Sequence, residues 1–100
     1  DLDEACRRQQ LGEGWFPTFE DVPKQAITLS VQQLMKVKQV ITVVPDERKA
    51  AAAKACLEGP ISPDAPASIL RQHAGNHFYF DKAAASLLSA EYIAQNAEVV

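Results

Sequence analysis

The stretch QVITVVPDERKAAAAKACLEG, Gln39 to Gly59, constrains the fold of this 100-residue chain more than any other. After Gln39 come five β-branched residues in a row, which predict a strand over Gln39–Val44. A near-continuous run of that kind is the pattern of a strand buried on both faces. Pro45 and Asp46 end it. Asp46 is placed to cap a helix from Glu47 to about Glu58, and Gly59 with Pro60 stops that helix. Its alanines suit close packing against a sheet. Strand, tight turn and helix in that order make half of a βα unit, and such units build parallel sheets.

The same stretch poses a chemical question. Arg48 and Lys49 lie in the first turn of the helix, where the macrodipole disfavours a cation by about 0.3–1 kcal/mol at an exposed site. Asp46 and Glu47 can neutralise them, which makes the pair ordinary surface charge. Alternatively, an arriving anion is held jointly by helix N–H groups and by Lys49. Ligands of open α/β sheets bind at the carboxyl ends of the strands, and Lys49 follows such an end.

Elsewhere the pattern is of alternating short elements. DLDEACRRQQL reads as a helix with acidic residues first and arginines later, in keeping with the macrodipole. GEGWFPTFEDVP, with three aromatics among glycines and prolines, is an ordered loop. Ala26–Ser30 alternates as a strand, VQQLMKVK gives one or two helical turns, and ASILRQH is a short helix after a proline-punctuated loop. Phe78–Phe80 is a third strand. Asp81 is a plausible cap for a final helix in which Leu87, Leu88 and Ile93 face inward. Three short strands form a small parallel sheet, and such sheets normally have both faces and their edges covered. The chain therefore reads as one partial domain over 1–100 that is expected to self-associate as a homo-oligomer.

Several functions are excluded by what is present. A net charge of −3 offers no footprint for nucleic acid or an anionic membrane, and no apolar run approaches the length of a membrane span. Cys6 and Cys56 lie outside any metal-ligand or redox spacing, which predicts buried free thiols and a cytoplasmic setting. His73 and His77 are separated by a glycine-containing turn and share no helical face, so no metal pair is expected. No GxSxG, GxGxxG or Walker-type run occurs, and no cofactor is implied. Arg7 and Arg8 form the only other cationic pair of interest, and solvation accounts for most such pairs.

The ordered series VPK, a K-A pair after a valine-rich strand, E-G, S-I-L and Q-H resembles the C-terminal part of the glucosamine-6-phosphate deaminase (isomerase) family. The resemblance covers essentially the whole chain. It implies an α/β, Rossmann-like three-layer fold with a mainly parallel sheet, of which this chain is the C-terminal portion. It also implies a parent that converts glucosamine 6-phosphate and water to fructose 6-phosphate and ammonia. The K-A lysine, here Lys49, would bind the sugar phosphate. An upstream arginine would reach the same phosphate; Arg8 is the best match, with Arg7 one position off. The family's catalytic aspartate and histidine–carboxylate group fall in an N-terminal half with no counterpart here, so no catalytic residue is expected and this chain alone should be inactive. Asp46 replaces the family's glycine and brings negative charge near the proposed anion. The related 6-phosphogluconolactonases, which are hydrolases, share the fold and the lysine. A non-catalytic sugar-phosphate sensor is the remaining alternative.

Overall fold

The computed structural model describes residues 1–100, which fold as two compact units, 1–30 and 31–100. In the first, helix α1 spans Glu4–Gly12. Asp3 starts it by accepting the Cys6 N–H at 2.7 Å, which satisfies one of the donors a helix leaves unpaired at its N-terminus. The loop after α1 curls back so that Val22 is almost wholly buried. The Leu2 N–H donates to the Lys24 carbonyl at 2.8 Å, and Gln25 donates to Asp1 at the same distance.

The expected strand Ala26–Ser30 is absent. These residues are irregular, with Ile27 fully exposed and Leu29 nearly two-thirds exposed. A β-branched alternation only prefers the extended form, and a strand exists by pairing with a neighbour. No strand pairs with this segment: the sheet consists of two other strands.

The second unit begins with α2, the single turn Val31–Leu34. Strand β1 covers Val40–Val44 and β2 covers Asn76–Phe80. They pair in parallel, from Val40 opposite Asn76 to Val44 opposite Phe80. Between them the chain makes a 3-10 turn at Glu47–Lys49, helix α3 at Ala50–Glu58, and a 3-10 segment at Pro66–Gln72. Parallel strands require a crossover of this kind. The α/β class and the parallel pairing agree with the sequence pattern.

Two further expectations are corrected. β1 is not buried on both faces: Ile41 and Val43 are about two-thirds exposed, and Tyr79 beside Val43 is more than half exposed. The opposite face, with Val40, Thr42 and Val44, is half-buried. The continuous apolar run encodes two covered faces, and this chain covers one. The final helix also starts late. Lys82–Leu87 forms successive turns, and α4 spans only Ala90–Asn96, because Ser89 supplies its cap by accepting the Tyr92 N–H at 3.1 Å. Glu58 fixes that cap, taking the Ser89 hydroxyl at 2.6 Å and its N–H at 3.0 Å. Leu87 is half exposed as a result, while Leu88 and Ile93 are half-buried.

The core of this unit is small: Ala50, Ala53 and Leu57 on α3, Ala84, and one polar side chain, Ser68. Ser68 is the serine of the S-I-L series. Its hydroxyl accepts the Ser62 N–H at 3.1 Å and lies 3.4 Å from the Ser62 carbonyl, which closes the loop that returns α3 to the sheet. A buried hydroxyl needs such partners.

Candidate functional site

Parallel pairing in register brings the carboxyl ends of β1 and β2 side by side at Val44 and Phe80. An aspartate follows closely on each strand, and the two are joined through the backbone. The Asp46 N–H donates to Asp81 Oδ2 at 2.8 Å, while Asp81 Oδ1 accepts the Ala84 N–H at 2.7 Å. These N–H groups, Ala84 first and then Asp46, hold the Asp81 carboxyl below its ordinary pKa, since both donate to the charged form.

Asp46 has φ 67° and ψ 161°, a region that essentially only glycine occupies without strain. The glycine that the resemblance implies here would have a backbone reason, which no periodicity could reveal. What the aspartate adds is a carboxylate on the turn. It accepts the Arg48 N–H at 2.8 Å and binds the Arg48 guanidinium through Nη2 at 2.9 Å and Nε at 3.3 Å. Arg48 accordingly lowers the Asp46 pKa, mainly through its side chain.

The expected cap at Asp46 is therefore present, with a consequence for the anion site. Of the N–H groups from Glu47 to Lys49, that of Arg48 is taken by the Asp46 side chain and that of Lys49 by the Asp46 carbonyl, at 3.3 Å. The backbone donors are partly occupied from within the chain. Lys49 itself stands at the junction between the 3-10 turn and α3, half-buried, whereas Arg48 is exposed and drawn onto Asp46. The two neighbouring cations have different environments.

In the first unit, the adjacent arginines are also unlike. Arg7 is half-buried and spends its donors on backbone: Nη2 reaches the carbonyls of Phe19 at 3.0 Å and Val22 at 2.9 Å, and Nε reaches Val22 at 3.3 Å. It is a staple for the loop. Arg8 is mostly exposed and pairs with Glu4 one turn away, at 2.5 Å from Nη2 and 2.8 Å from Nε. Exposed pairs of this type contribute about 0–1 kcal/mol, so a more highly charged anion can displace Glu4. Of the two arginines, Arg8 is the one whose donors can be turned to a ligand without undoing the loop.

His73, which carried no assigned role, is a structural clasp. Its Nδ1 accepts the Gly75 N–H at 3.0 Å, so the ring proton sits on Nε2, which donates to the Val37 carbonyl at 2.7 Å. No group of three or more histidine, cysteine or carboxylate side chains is arranged to hold a metal ion. Cys56 is partly buried, which raises its thiol pKa and disfavours the reactive thiolate. No helix is long and apolar enough to cross a membrane.

A strand that ends in a charged turn and passes at once into a helix, beside a parallel neighbour, defines the ligand-binding corner of an α/β domain. No protein-family model matches the chain. Individual proteins do. The glucosamine-6-phosphate deaminase of Exiguobacterium sibiricum is 42% identical over 90 residues, which is 90% of this chain and 35% of that protein. The deaminase of Rhodopirellula baltica is 38% identical over 74 residues, and that of Oceanobacillus iheyensis is 34% identical over 95. Among solved structures, a monomeric glucosamine-6-phosphate deaminase of the NagB superfamily superposes with a TM-score of 0.76 at 37% identity, over 86% of this chain and 35% of that one. The chain belongs to the glucosamine-6-phosphate deaminase family and spans about a third of the length of these relatives. These relatives all carry the deaminase name, and the lactonase alternative gains nothing from them.

Proposed function

We propose that this chain is the C-terminal, phosphate-binding portion of a cytoplasmic enzyme that converts glucosamine 6-phosphate and water to fructose 6-phosphate and ammonia. Both compact units belong, in this reading, to one larger domain. Lys49 and Arg8 bind the substrate phosphate, and the catalytic groups lie in the part of the fold that this chain does not span. The observation that carries the reading is the station of Lys49: half-buried, directly after the carboxyl end of a parallel strand, at the start of α3. There the ammonium and the helix dipole act on an anion together. Asp46 strengthens the assignment by taking Arg48, so that the two adjacent cations divide between a structural and a binding role. The exposed face of Ile41, Val43 and Tyr79 supports a requirement for further chain, supplied by the rest of the protein or by a second copy.

The test is binding by the complete encoded protein, including any sequence upstream of Asp1. Lys49→Ala should weaken glucosamine 6-phosphate binding about ten- to a hundredfold, the effect of losing one charge-assisted contact of about 1.5–3 kcal/mol. Arg48→Ala should change it far less, and glucosamine itself should be nearly indifferent to both. Equal losses for the phosphorylated and unphosphorylated sugars would refute the phosphate assignment. Tight binding without turnover would instead describe a sugar-phosphate sensor.

A further inference from the structure

We infer that Phe19 is a positioning residue for Arg8, holding its guanidinium on the face of an aromatic ring so that it is presented to the ligand's phosphate. The inference rests on the phosphate-binding role proposed for Arg8 and adds to it the device that aims the side chain.

The geometry lies entirely within residues 1–30. The Arg8 guanidinium carbon stands 4.8 Å from the centroid of the Phe19 ring, and that of Arg7 stands 4.2 Å from the same centroid. Both distances are within the range where the ring's quadrupole attracts a cation. One ring serving two adjacent arginines would be ambiguous if both were mobile, but Arg7 is not. Its three hydrogen bonds to the carbonyls of Phe19 and Val22 anchor the turn that carries the ring. That turn is further tightened by the Val22 N–H donating to the Phe19 carbonyl at 3.1 Å and by Thr18 donating to Asp21 at 2.7 Å. Val22, almost fully buried, seats it. Phe19 is thus fixed by Arg7, and Arg8 rests on what Arg7 has fixed.

Arg8 has a long side chain whose many rotamers would have to be frozen when a ligand binds. A ring that restricts the guanidinium beforehand reduces that loss, and Glu4 restricts it further by accepting from Nε and Nη2. The two supports respond differently to an arriving phosphate. Glu4 offers a carboxylate that the phosphate must replace, whereas the ring makes no hydrogen bond and remains in place after exchange. Arginine is suited to this arrangement because its planar head can stack on the ring and still direct its N–H groups outward to two oxygens of a phosphate.

The experiment measures calorimetric affinity of the complete encoded protein for glucosamine 6-phosphate and for glucosamine. Phe19→Leu should raise the dissociation constant for the phosphorylated sugar about two- to fivefold, the scale of an exposed cation–π contact, and leave glucosamine unchanged. Phe19→Tyr should retain wild-type affinity. Should Phe19→Leu fail to fold, replacement of Phe19 by 3,4,5-trifluorophenylalanine keeps the shape, removes the ring's attraction for cations and should give the same selective loss. If Arg8→Ala weakens binding of the phosphorylated sugar while neither altered ring does, the role of Phe19 is overturned and that of Arg8 stands. If the ring variants weaken both sugars alike, Phe19 is merely structural and the inference is overturned. If Arg8→Ala has no effect, the phosphate role of Arg8 fails and this inference fails with it.

Discussion

The two ends of the parallel sheet are built from opposite materials. At the amino end, where β1 and β2 begin, the contacts are uncharged: the His73 ring bridges the Val37 carbonyl and the Gly75 N–H, and the Val40 N–H donates to the Gly75 carbonyl at 3.0 Å. Gly75 also lies so close to the Lys38 carbonyl that an added Cβ would collide with it. At the carboxyl end, an aspartate N–H crosses to a second aspartate, a cation is bound on the turn, and one residue has a backbone conformation suited to glycine. The amino end is close-fitting, and these contacts engage backbone groups and one imidazole. The carboxyl end is charged and strained, and such features collect where proteins handle ligands. One small sheet thus has a close-fitting end and a charged, strained end.

This division can be broken experimentally, and the largest effect should come from the amino end. Gly75→Ala forces a methyl group toward a backbone carbonyl that cannot yield without moving the start of β1, so a loss of about 2–3 kcal/mol is expected in urea unfolding. His73→Ala, which strands the Val37 carbonyl and the Gly75 N–H, should fall in the range of about 1–3 kcal/mol. Neither change should alter discrimination between glucosamine 6-phosphate and glucosamine in protein that remains folded. A selective loss of the phosphorylated ligand in either variant would show that the two ends are not separate.

A smaller effect of opposite sign is expected at the carboxyl end. Asp46→Gly relieves the backbone strain, and glycine is itself a tolerable cap, so the unfolding midpoint should rise. Asp46→Ala retains the strain and removes the cap, so its midpoint should fall below wild type. Were glycine to prove worse than alanine, the interactions of the carboxylate would outweigh the conformation, and the strained character of this end would be wrong.

The smallest effect separates the ends by acid. The pKa values of Asp46 and Asp81 are held below 3.8, and that of Glu58 below 4.5, so these groups stabilise the folded state once their unfolded counterparts have ionised. Their contribution is complete above those ordinary values and is lost as the pH falls through the folded ones. Unfolding midpoints should therefore decline between about pH 5 and pH 2. Asp46→Asn should flatten part of that decline, whereas Gly75→Ala should shift the whole curve and leave its slope alone.

How far the sequence exposed this arrangement depends on the range of the interactions involved. Strand β1, the Asp46 cap, the stop at Gly59 and the strand ending at Asp81 are local patterns, and each is found where the residues indicate. The segment Ala26–Ser30 misleads because extended preference is local but pairing is not. The bare face of Ile41 and Val43 misleads similarly, since an apolar run announces that both faces are to be covered without saying whether this chain covers them. The place of Lys49, after a strand and at the start of a helix, was legible. The clasp at His73, the glycine-like backbone of Asp46 and the ring under Arg8 were not. Each depends on residues brought together only by the fold, or on a dihedral angle that an aspartate conceals.

The His73 clasp and the aspartate bridge have a consequence for the order in which this structure can form. The clasp joins residues 36 positions apart, and the bridge joins residues 35 apart, with the intervening β1–β2 pairs similarly spaced. No strand here has a sequence neighbour with which to form a hairpin, so the sheet offers no early, local nucleus. Closing the loop once through α3 brings both clasps and all five strand pairs within reach together. The entropy of closure grows only slowly with loop length, so it is met almost in full by the first long-range contact. The remainder should then form as one cooperative event, with a folding speed governed by the crossover.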